Sequence, residues 1–281
     1  MDKKRFSGSE GRAARELRQD LAAIDLVVEL LDARAPSASQ NPRIGRLTAG
    51  KQRLILLHKA DRSEPRVTSR WVNYFKDKGY SAMTFSIHQP HRRRVLFKYL
   101  QDCRAGLSPA HGRRSLRIMV VGIPNVGKSS LINYLVRQRA ARSGNRPGIT
   151  RGRQWIRLLP GVELLDTPGV LYPRLSGEVI PLLVAIGSLP SAAIEAISTA
   201  GWLLGFYRET GRAGLLAKRY PGLGSSGDPD LQLEEIGRVQ GCLLPGGKID
   251  LQRAAETVLR DFQNGNLGNV SLEYPPGMED K

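Results

Sequence analysis

The chain has 281 residues, of which 41% are hydrophobic, and a formal net charge of +17. This length suits one large or two modest domains, and the apolar fraction is enough for buried cores. Cys103 and Cys242 have neither metal nor redox spacing, and the stretch Met1–Arg18 is charged throughout. Composition therefore argues against a secreted, disulfide-built protein and predicts a cytoplasmic one with reduced thiols.

The first segment with evident chemistry is an apolar run, 54–57, followed by His58-Lys59-Ala60-Asp61. A carboxylate at the end of a buried strand can accept hydrogen bonds from both the ring N–H and the amino group of guanine. Adenine offers no such donor pair, so Asp61 would select guanine, and the alkyl stem of Lys59 would lie along the base. Taken alone, the motif is equally typical of a solvated Lys-x-Asp at a strand end.

The next predicted strand is Ser81–Phe85, and Ser86-Ile87 follows it. This position fits the loop that backs the base in GTP-binding proteins, which normally carries a Ser-Ala pair. Only Ser86 matches that pair.

Residues 122–130 form a complete phosphate-binding loop of the type Gly-x4-Gly-Lys-Ser. The apolar run 118–121 predicts the buried parallel strand before it. The helix after it is predicted by Leu131, Ile132 and Leu135. Backbone N–H groups around Gly127 would hold the phosphates at the helix N-terminus, Lys128 would reach the β- and γ-phosphates, and the Ser129 hydroxyl would bind Mg²⁺. The alternative is a Gly-rich turn before a surface helix, which the strand and helix context disfavours.

Two later segments supply what a nucleotide switch needs. Asp166-Thr167-Pro168-Gly169 ends an apolar strand 38 residues after Lys128. The acid can hold a Mg²⁺-bound water, and the Gly169 N–H can meet a γ-phosphate. Between these motifs, Thr150 ends the loop 146–150 and can close over Mg²⁺ when the third phosphate is present. Lys128, Thr150 and Gly169 are therefore the catalytic candidates, although Asp-Thr-Pro-Gly alone would be a plain turn.

The guanine motif precedes the phosphate loop, whereas it follows that loop in an ordinary GTPase. This order resembles the circularly permuted GTPases, and within them the chain is similar to the YlqF/RbgA type, the ribosome biogenesis GTPase A. The similarity extends to four further segments: Asp25–Arg34 with its Asp-Ala-Arg ending, Gln154-Trp155, Arg238–Gly247, and Arg260-Asp261-Phe262 with Leu267-Gly268. We expect an α/β doubly wound P-loop GTPase domain with permuted motif order at 1–175, and a mainly α-helical C-terminal domain at 176–281.

The resemblance implies a GTPase that acts in late assembly of the large (50S) ribosomal subunit. Its cofactors would be GTP or GDP and Mg²⁺, and its partners rRNA and ribosomal proteins, with no DNA and no membrane. Asn125 matches the loop asparagine that ligates an activating K⁺ in such relatives. The implied nucleotide-binding set is His58, Lys59, Asp61, Ser86, Ile87, Asn125, Val126, Gly127, Lys128, Ser129, Ser130 and Gly169. The implied Mg²⁺ ligands are Ser129, Thr150 and Asp166.

Three departures from the family pattern stand out. His58 replaces an asparagine, so a tether to the phosphate loop is either weakened or re-made by imidazole. The segment Ser7–Glu10 replaces Pro-Gly-His-Met and lacks its histidine, and Ser86-Ile87 replaces the Ser-Ala pair. Val170 stands where many GTPases carry a water-orienting glutamine; the resemblance implies a hydrophobic-substituted class at this position, so we expect slow intrinsic turnover. The alternatives are a pseudo-GTPase scaffold that binds RNA, and a metabolic phosphate-loop ATPase or kinase, which the guanine motif disfavours.

The positive charge lies almost entirely in the first part of the chain. Residues 1–178 contain 34 Lys and Arg against 14 Asp and Glu, whereas residues 179–281 contain 9 against 12. Such an excess indicates a polyanionic partner. The RNA-binding candidates are Arg92, Arg93, Arg94, Arg113, Arg114, Arg151 and Arg153. The alternative is a solvated basic surface that reflects a GC-rich coding bias.

One segment, Leu182–Phe206, contains a single charged residue, Glu195. It is interrupted by Pro190 and by several Gly and Ser residues, so we expect a buried helix pair rather than a membrane span. Its apolar helical face is predicted to contain Ile194, Ile197, Gly201 and Leu204. Two further helices are expected around Leu231–Arg238 and Leu251–Phe262.

Overall fold

The computed structural model describes residues 18–107, 115–143, 154–166, 177–190, 192–224 and 227–277. Within these residues six strands form one sheet in the order β3-β2-β1-β4-β6-β5. The strands are β1 Leu26–Asp32, β2 Gln52–His58, β3 Ser81–Thr84, β4 Leu116–Val121, β5 Gln154–Leu159 and β6 Val162–Asp166. All neighbouring strands are parallel except β5, which pairs with β6 in the antiparallel direction.

Nine α-helices accompany the sheet in the described part of the chain. Those connecting the strands are α1 Pro42–Leu47, α2 Pro65–Asp77, α3 Pro90–Ala105 and α4 Lys128–Ser143. Those after the sheet are α5 Val179–Ala185, α6 Ala193–Glu209, α7 Ala213–Arg219, α8 Pro229–Val239 and α9 Leu251–Asn264. A short 3₁₀ turn spans Ala60–Arg62. The expected domain boundary near residue 175 lies outside the described residues, so the limits of the two domains stay predictions.

The central strands are apolar because helices cover both faces of the sheet. On one face Leu26, Val28 and Leu30 of β1 belong to a large cluster that continues into α3, α4 and the helices after the sheet. On the other face Leu31 packs with Trp71 of α2. Alternate residues of one strand therefore support two different helical layers, as the period of a strand requires.

Helix α2 shows how the sequence sets these contacts. Pro65 is the first residue of the helix, where its missing N–H costs no hydrogen bond. Val67, Trp71 and Phe75 follow at spacings of four, so they share the face that packs on the sheet. Trp71 stacks on Phe75 with ring centroids 5.7 Å apart. Complete burial of side chains of this size contributes about 2 kcal/mol each.

The segment Leu182–Phe206 forms the end of α5 and most of α6, as a helix pair. The predicted buried face of α6 is wrong in part, because Ile194 is 82% exposed and only Leu204 of the four predicted residues is buried. The helix instead buries Ala196, Ala200, Leu203, Leu204 and Tyr207. Tertiary contacts with α8 and α9 thus rotate α6 away from the face that its sequence suggested. Helices α8 and α9 confirm the helices that were predicted around Leu231–Arg238 and Leu251–Phe262.

The chain order of the strands creates a crevice at one edge of the sheet. From β1 the chain proceeds outward through β2 to β3, and then returns to the other side of β1 as β4. Loops after β1 and β4 therefore leave in opposite directions, which is where open α/β sheets bind ligands.

Candidate functional site

The guanine motif and the phosphate loop meet at this crevice, because both follow the carboxyl ends of parallel strands. Asp32 at the end of β1 is in register with His58 at the end of β2. The Ala33 N–H donates to the His58 carbonyl oxygen at 2.8 Å. The phosphate loop, 122–127, leaves β4 on the other side of β1.

The close approach of neighbouring atoms explains the two glycines of the phosphate loop. A Cβ on Gly122 would lie 2.6 Å from the Leu30 carbonyl oxygen of β1. A Cβ on Gly127, where φ is +110°, would lie 2.6 Å from Cδ2 of His58. Between them Asn125 adopts a left-handed conformation with φ of 55° and is exposed. Neither glycine can therefore be replaced without moving a neighbouring strand or ring.

Lys128 opens α4 and turns back over the loop. Its Nζ donates to the carbonyl oxygens of Gly122 at 3.0 Å and Ile123 at 2.6 Å. Burial lowers the pKa of this ammonium to about 8. Ser129 and Ser130, in the first turn of the same helix, are exposed. The loop thus combines a positioned cation, accessible hydroxyls and a helix N-terminus, which is the chemistry that binds phosphates.

The residues around the loop also fit a Mg²⁺ ion. The Ser129 hydroxyl is accessible, and β6, the neighbour of β4, ends at Asp166. Magnesium is usually held by one or two such oxygens together with phosphates and waters, rather than by a dedicated cage. Among the described residues no cluster of three or more His, Cys, Asp or Glu side chains able to hold a metal occurs.

The guanine motif forms a tight turn after β2. Lys59 adopts a left-handed conformation with φ of 57° and leads into the 3₁₀ turn that contains Asp61. The Ala60 N–H donates to the Phe85 carbonyl oxygen at 3.2 Å, which places the base-backing loop beside the motif. Ser86 is fully buried and its Oγ accepts the His88 N–H at 3.0 Å. Ser86 therefore shapes this loop from within.

His58 is the residue through which the two motifs touch. Its side chain is 3% exposed, and its ring edge packs against Gly127. Burial lowers the pKa of the imidazole to about 4, so the ring is neutral at neutral pH. Its Nδ1 is buried and has no hydrogen-bond partner in the described structure. The imidazole thus meets the phosphate loop by packing against Gly127, and its Nδ1 adds no hydrogen bond to that contact in the described structure.

Comparison with known proteins places this geometry in a family. Residues 117–194 match the family model described as 50S ribosome-binding GTPase. Ribosome biogenesis GTPase A of Bacillus cereus is 36% identical, with 96% of this chain and 93% of the relative covered. The Thermotoga maritima protein of the same name is 35% identical over 96% and 94%. The chain belongs to the ribosome biogenesis GTPase A family.

Solved structures of this family agree with the fold described above. The crystal structure of GNP-bound YlqF from T. maritima matches with a TM-score of 0.68 and 32% identity, covering 95% of this chain and all of that one. The GDP-bound structure of T. maritima YlqF gives a TM-score of 0.67 and 31% identity, covering 93% and 99%. The doubly wound GTPase fold with permuted motif order is thereby confirmed.

The structure reveals two site residues to which the sequence assigned no role, Asp32 and Arg34. Both side chains are fully buried, and Asp32 forms ion pairs with Arg34 at 2.8 Å and with Lys59 at 2.9 Å. Burial raises the pKa of Asp32, but Arg34 and Lys59 outweigh it and hold that pKa far below its usual value. An acid that ends a largely apolar strand was the available signal. The sequence alone did not show that Asp32 pairs with Lys59, which follows the neighbouring strand β2.

Several predicted site residues lie outside the described residues. These are Thr150, Gly169, Arg113, Arg114, Arg151 and Arg153, together with the side chain of Asp166. Of the other predicted RNA contacts, Arg92, Arg93 and Arg94 form the start of α3, and Arg94 is exposed. In the described segments no helix has both the length and the apolar character that crossing a membrane requires.

Proposed function

We propose that this chain binds GTP and GDP, hydrolyses GTP slowly, and acts in the cytoplasm as an assembly factor for the large (50S) ribosomal subunit. The observation that carries the proposal is the meeting of a guanine motif and a phosphate loop at one sheet edge, in contact through His58 and Gly127. The names of the relatives, which include a mouse mitochondrial ribosome-associated GTPase 1 that is 31% identical over 95% of this chain, support the ribosomal role.

Guanine selection would depend on Asp61 and Lys59. The Asp61 carboxylate lies in the 3₁₀ turn Ala60–Arg62, directly after a buried strand, and would accept both guanine donors. The stem of Lys59 would cover the base while its ammonium stays paired with Asp32. Adenine would leave the Asp61 carboxylate without its donors, and this asymmetry sets the preference.

Phosphate and metal binding would combine described and undescribed residues. Lys128 would neutralise the β- and γ-phosphates, and Ser129 with Thr150 and Asp166 would hold Mg²⁺. The Gly169 N–H would meet the γ-phosphate. Asn125, which is exposed in the loop, would contribute its amide oxygen to a K⁺ ion.

Hydrolysis would be slow because two usual contributions are missing from the sequence. Val170 has no group that can orient water, and Ser7–Glu10 has no histidine. Phosphoryl transfer depends mainly on positioning and charge stabilisation, so a K⁺ ion and a ribosomal partner would complete the site.

The basic surface of the GTPase domain would bind the ribosomal partner, and the ligand of that surface would be rRNA. Arg92, Arg93 and Arg94 lie at the start of α3, the helix that follows the base-backing loop. Arginine forks suit phosphate oxygens better than lysine ammonium groups do. Nucleotide-dependent reshaping of the arginine-rich segment around Thr150 would link this binding to the γ-phosphate.

A turnover assay tests the proposal and separates it from the pseudo-GTPase alternative, which the absence of a water-orienting side chain at Val170 and of a histidine in Ser7–Glu10 favours. GTP and ATP are compared, with and without large ribosomal subunits, in K⁺ and in Na⁺. We expect slow release of phosphate from GTP only, accelerated by subunits and K⁺. Lys128→Ala should abolish turnover, whereas Lys98→Ala, an exposed lysine on α3, should not. Tight GDP binding without any turnover under all conditions would establish the scaffold instead.

A further inference from the structure

The lysine of the guanine motif, Lys59, is held in place by an ion pair with Asp32, the last residue of β1. Lys59 Nζ lies 2.9 Å from Asp32 Oδ2, and the Asp32 side chain is completely buried. Burial lowers the pKa of Lys59, and Asp32 opposes that effect. The position of the Lys59 stem, and with it the surface offered to a base, therefore depends on how Asp32 is fixed.

Asp32 is fixed by Arg34, which also contacts the helices after the sheet. Arg34 donates from Nε and Nη2 to the two carboxylate oxygens of Asp32, at 2.9 and 2.8 Å. The same guanidinium donates to the carbonyl oxygens of Ile186 at 3.2 Å and Phe262 at 3.1 Å, and lies over the Phe262 ring. A single fully buried side chain thus joins the guanine motif to the ends of α5 and α9.

A second set of contacts joins the turn itself to the C-terminal segment 263–274. The Val270 N–H donates to the Arg62 carbonyl oxygen at 3.2 Å, and the Arg62 guanidinium contacts the Gln263 carbonyl oxygen. The Leu272 N–H donates to the Arg34 carbonyl oxygen at 2.8 Å. The residue directly after Asp61, Arg62, is therefore held by this segment.

Glu64, two residues after the 3₁₀ turn, is also held by residues of the C-terminal part of the chain. Arg212 Nη2 donates to Glu64 Oε1 at 2.7 Å, and the Glu64 N–H donates to Ser271 Oγ at 3.2 Å. Arg212 also donates to the Tyr274 hydroxyl at 2.9 Å. None of these three contacts involves Lys59 or Asp61, so we expect them to act on a nucleotide through those two residues.

We propose that the C-terminal helices and segment 263–274 are part of the guanine site, with Arg34 as the positioning residue that transmits their support to Lys59 through Asp32. The inference rests on the proposed role of Lys59 and Asp61 in reading guanine. It extends that role, because the coupling responds to the base and is therefore the same for GDP and GTP. By reciprocity, a bound guanine nucleotide stabilises the C-terminal segment by the same factor with which that segment tightens nucleotide binding.

The test compares Arg34→Lys with Arg117→Lys. Arg34→Lys keeps the charge but loses the paired contacts to Asp32. Arg117→Lys makes the same exchange at the start of β4, where Arg117 pairs with Glu163 of β6, at the end of the sheet away from the guanine motif. Affinities for GDP, for a non-hydrolysable GTP analogue and for IDP, which lacks the 2-amino group, are measured by titration. We expect Arg34→Lys to weaken the binding of GDP and of the GTP analogue equally, by about tenfold, and to lower the ratio of GDP affinity to IDP affinity. Arg117→Lys should leave that ratio unchanged.

Hydrogen exchange of the wild type provides a readout that needs no variant. The amides of Val270 and Leu272 should exchange more slowly with GDP bound. Should Arg34→Lys fail to fold, Glu64→Gln carries the comparison of GDP with IDP. An unchanged GDP to IDP ratio in the folded variant, together with unchanged exchange at these two amides, would overturn the inference. Failure of the wild type to prefer GDP over ADP would instead overturn the proposed function.

Discussion

Replacing His58 by asparagine tests the electrostatics of the contact between the guanine motif and the phosphate loop. Burial lowers the pKa of the His58 imidazole to about 4 in the folded protein, against an ordinary value of 6.5. Between these two values the unfolded chain takes up a proton that the folded chain does not. The free energy of unfolding therefore falls as the pH falls through this window.

The size of this effect follows from the two pKa values. At 1.36 kcal/mol for each pH unit, a lowering from 6.5 to about 4 corresponds to about 3 kcal/mol when the window has been crossed completely. Between pH 7 and pH 5 the loss should reach about 2 kcal/mol. Asparagine does not titrate, so His58→Asn should lack this part of the acid sensitivity.

The assay is denaturant unfolding of wild type and His58→Asn at several pH values between 7.5 and 4.5. Other groups titrate in the same window, including Glu273, whose pKa burial raises to about 7, but they are common to both proteins and cancel in the difference. His91→Asn, at an exposed position, is the matched control and should follow the wild type. Parallel stability curves for wild type and His58→Asn would refute a buried neutral imidazole at this position.

Asp61→Asn should exchange an acceptor for a donor and shift the preference from guanosine to xanthosine nucleotides, which competition binding measures; equal wild-type affinity for GTP and ATP would contradict the role of Asp61. Lys128→Ala should remove most triphosphate binding in the same assay while Lys98→Ala retains it, and tight GTP binding by Lys128→Ala would show that the cation acts elsewhere. Asn125→Ala should abolish the stimulation of GTP turnover by K⁺ over Na⁺; if wild type shows no such stimulation, the cation hypothesis is wrong. Large-subunit affinity should be higher with a non-hydrolysable GTP analogue than with GDP by about 1–3 kcal/mol, and should fall steeply with salt because each neutralised phosphate adds about 0.7–0.9 to the log–log slope. Identical affinities would exclude the γ-phosphate switch, and a flat salt response would exclude the basic face.

The sequence by itself determined the local chemistry. The strand before Gly122, the loop through Lys128 and the helix after it depend on residues that are neighbours in the chain, so apolar runs and glycine spacing were sufficient. The same holds for the strand that ends at His58 and for the motif order that indicated the family. Helices α8 and α9 were predicted for the same reason, because their periodicity is local.

The tertiary structure alone decided which distant residues support one another. Arg34 and Phe262 are 228 positions apart, and no pattern around either residue predicts that the guanidinium of one meets the carbonyl oxygen of the other. The buried face of α6 was likewise decided by its packing against α8 and α9. The spacing of apolar residues along α6 does not show on which sides those two helices lie. The sequence also left open how His58 meets the phosphate loop. Its ring packs against Gly127 because β1 lies between β2 and β4 and sets the distance between the ends of those two strands.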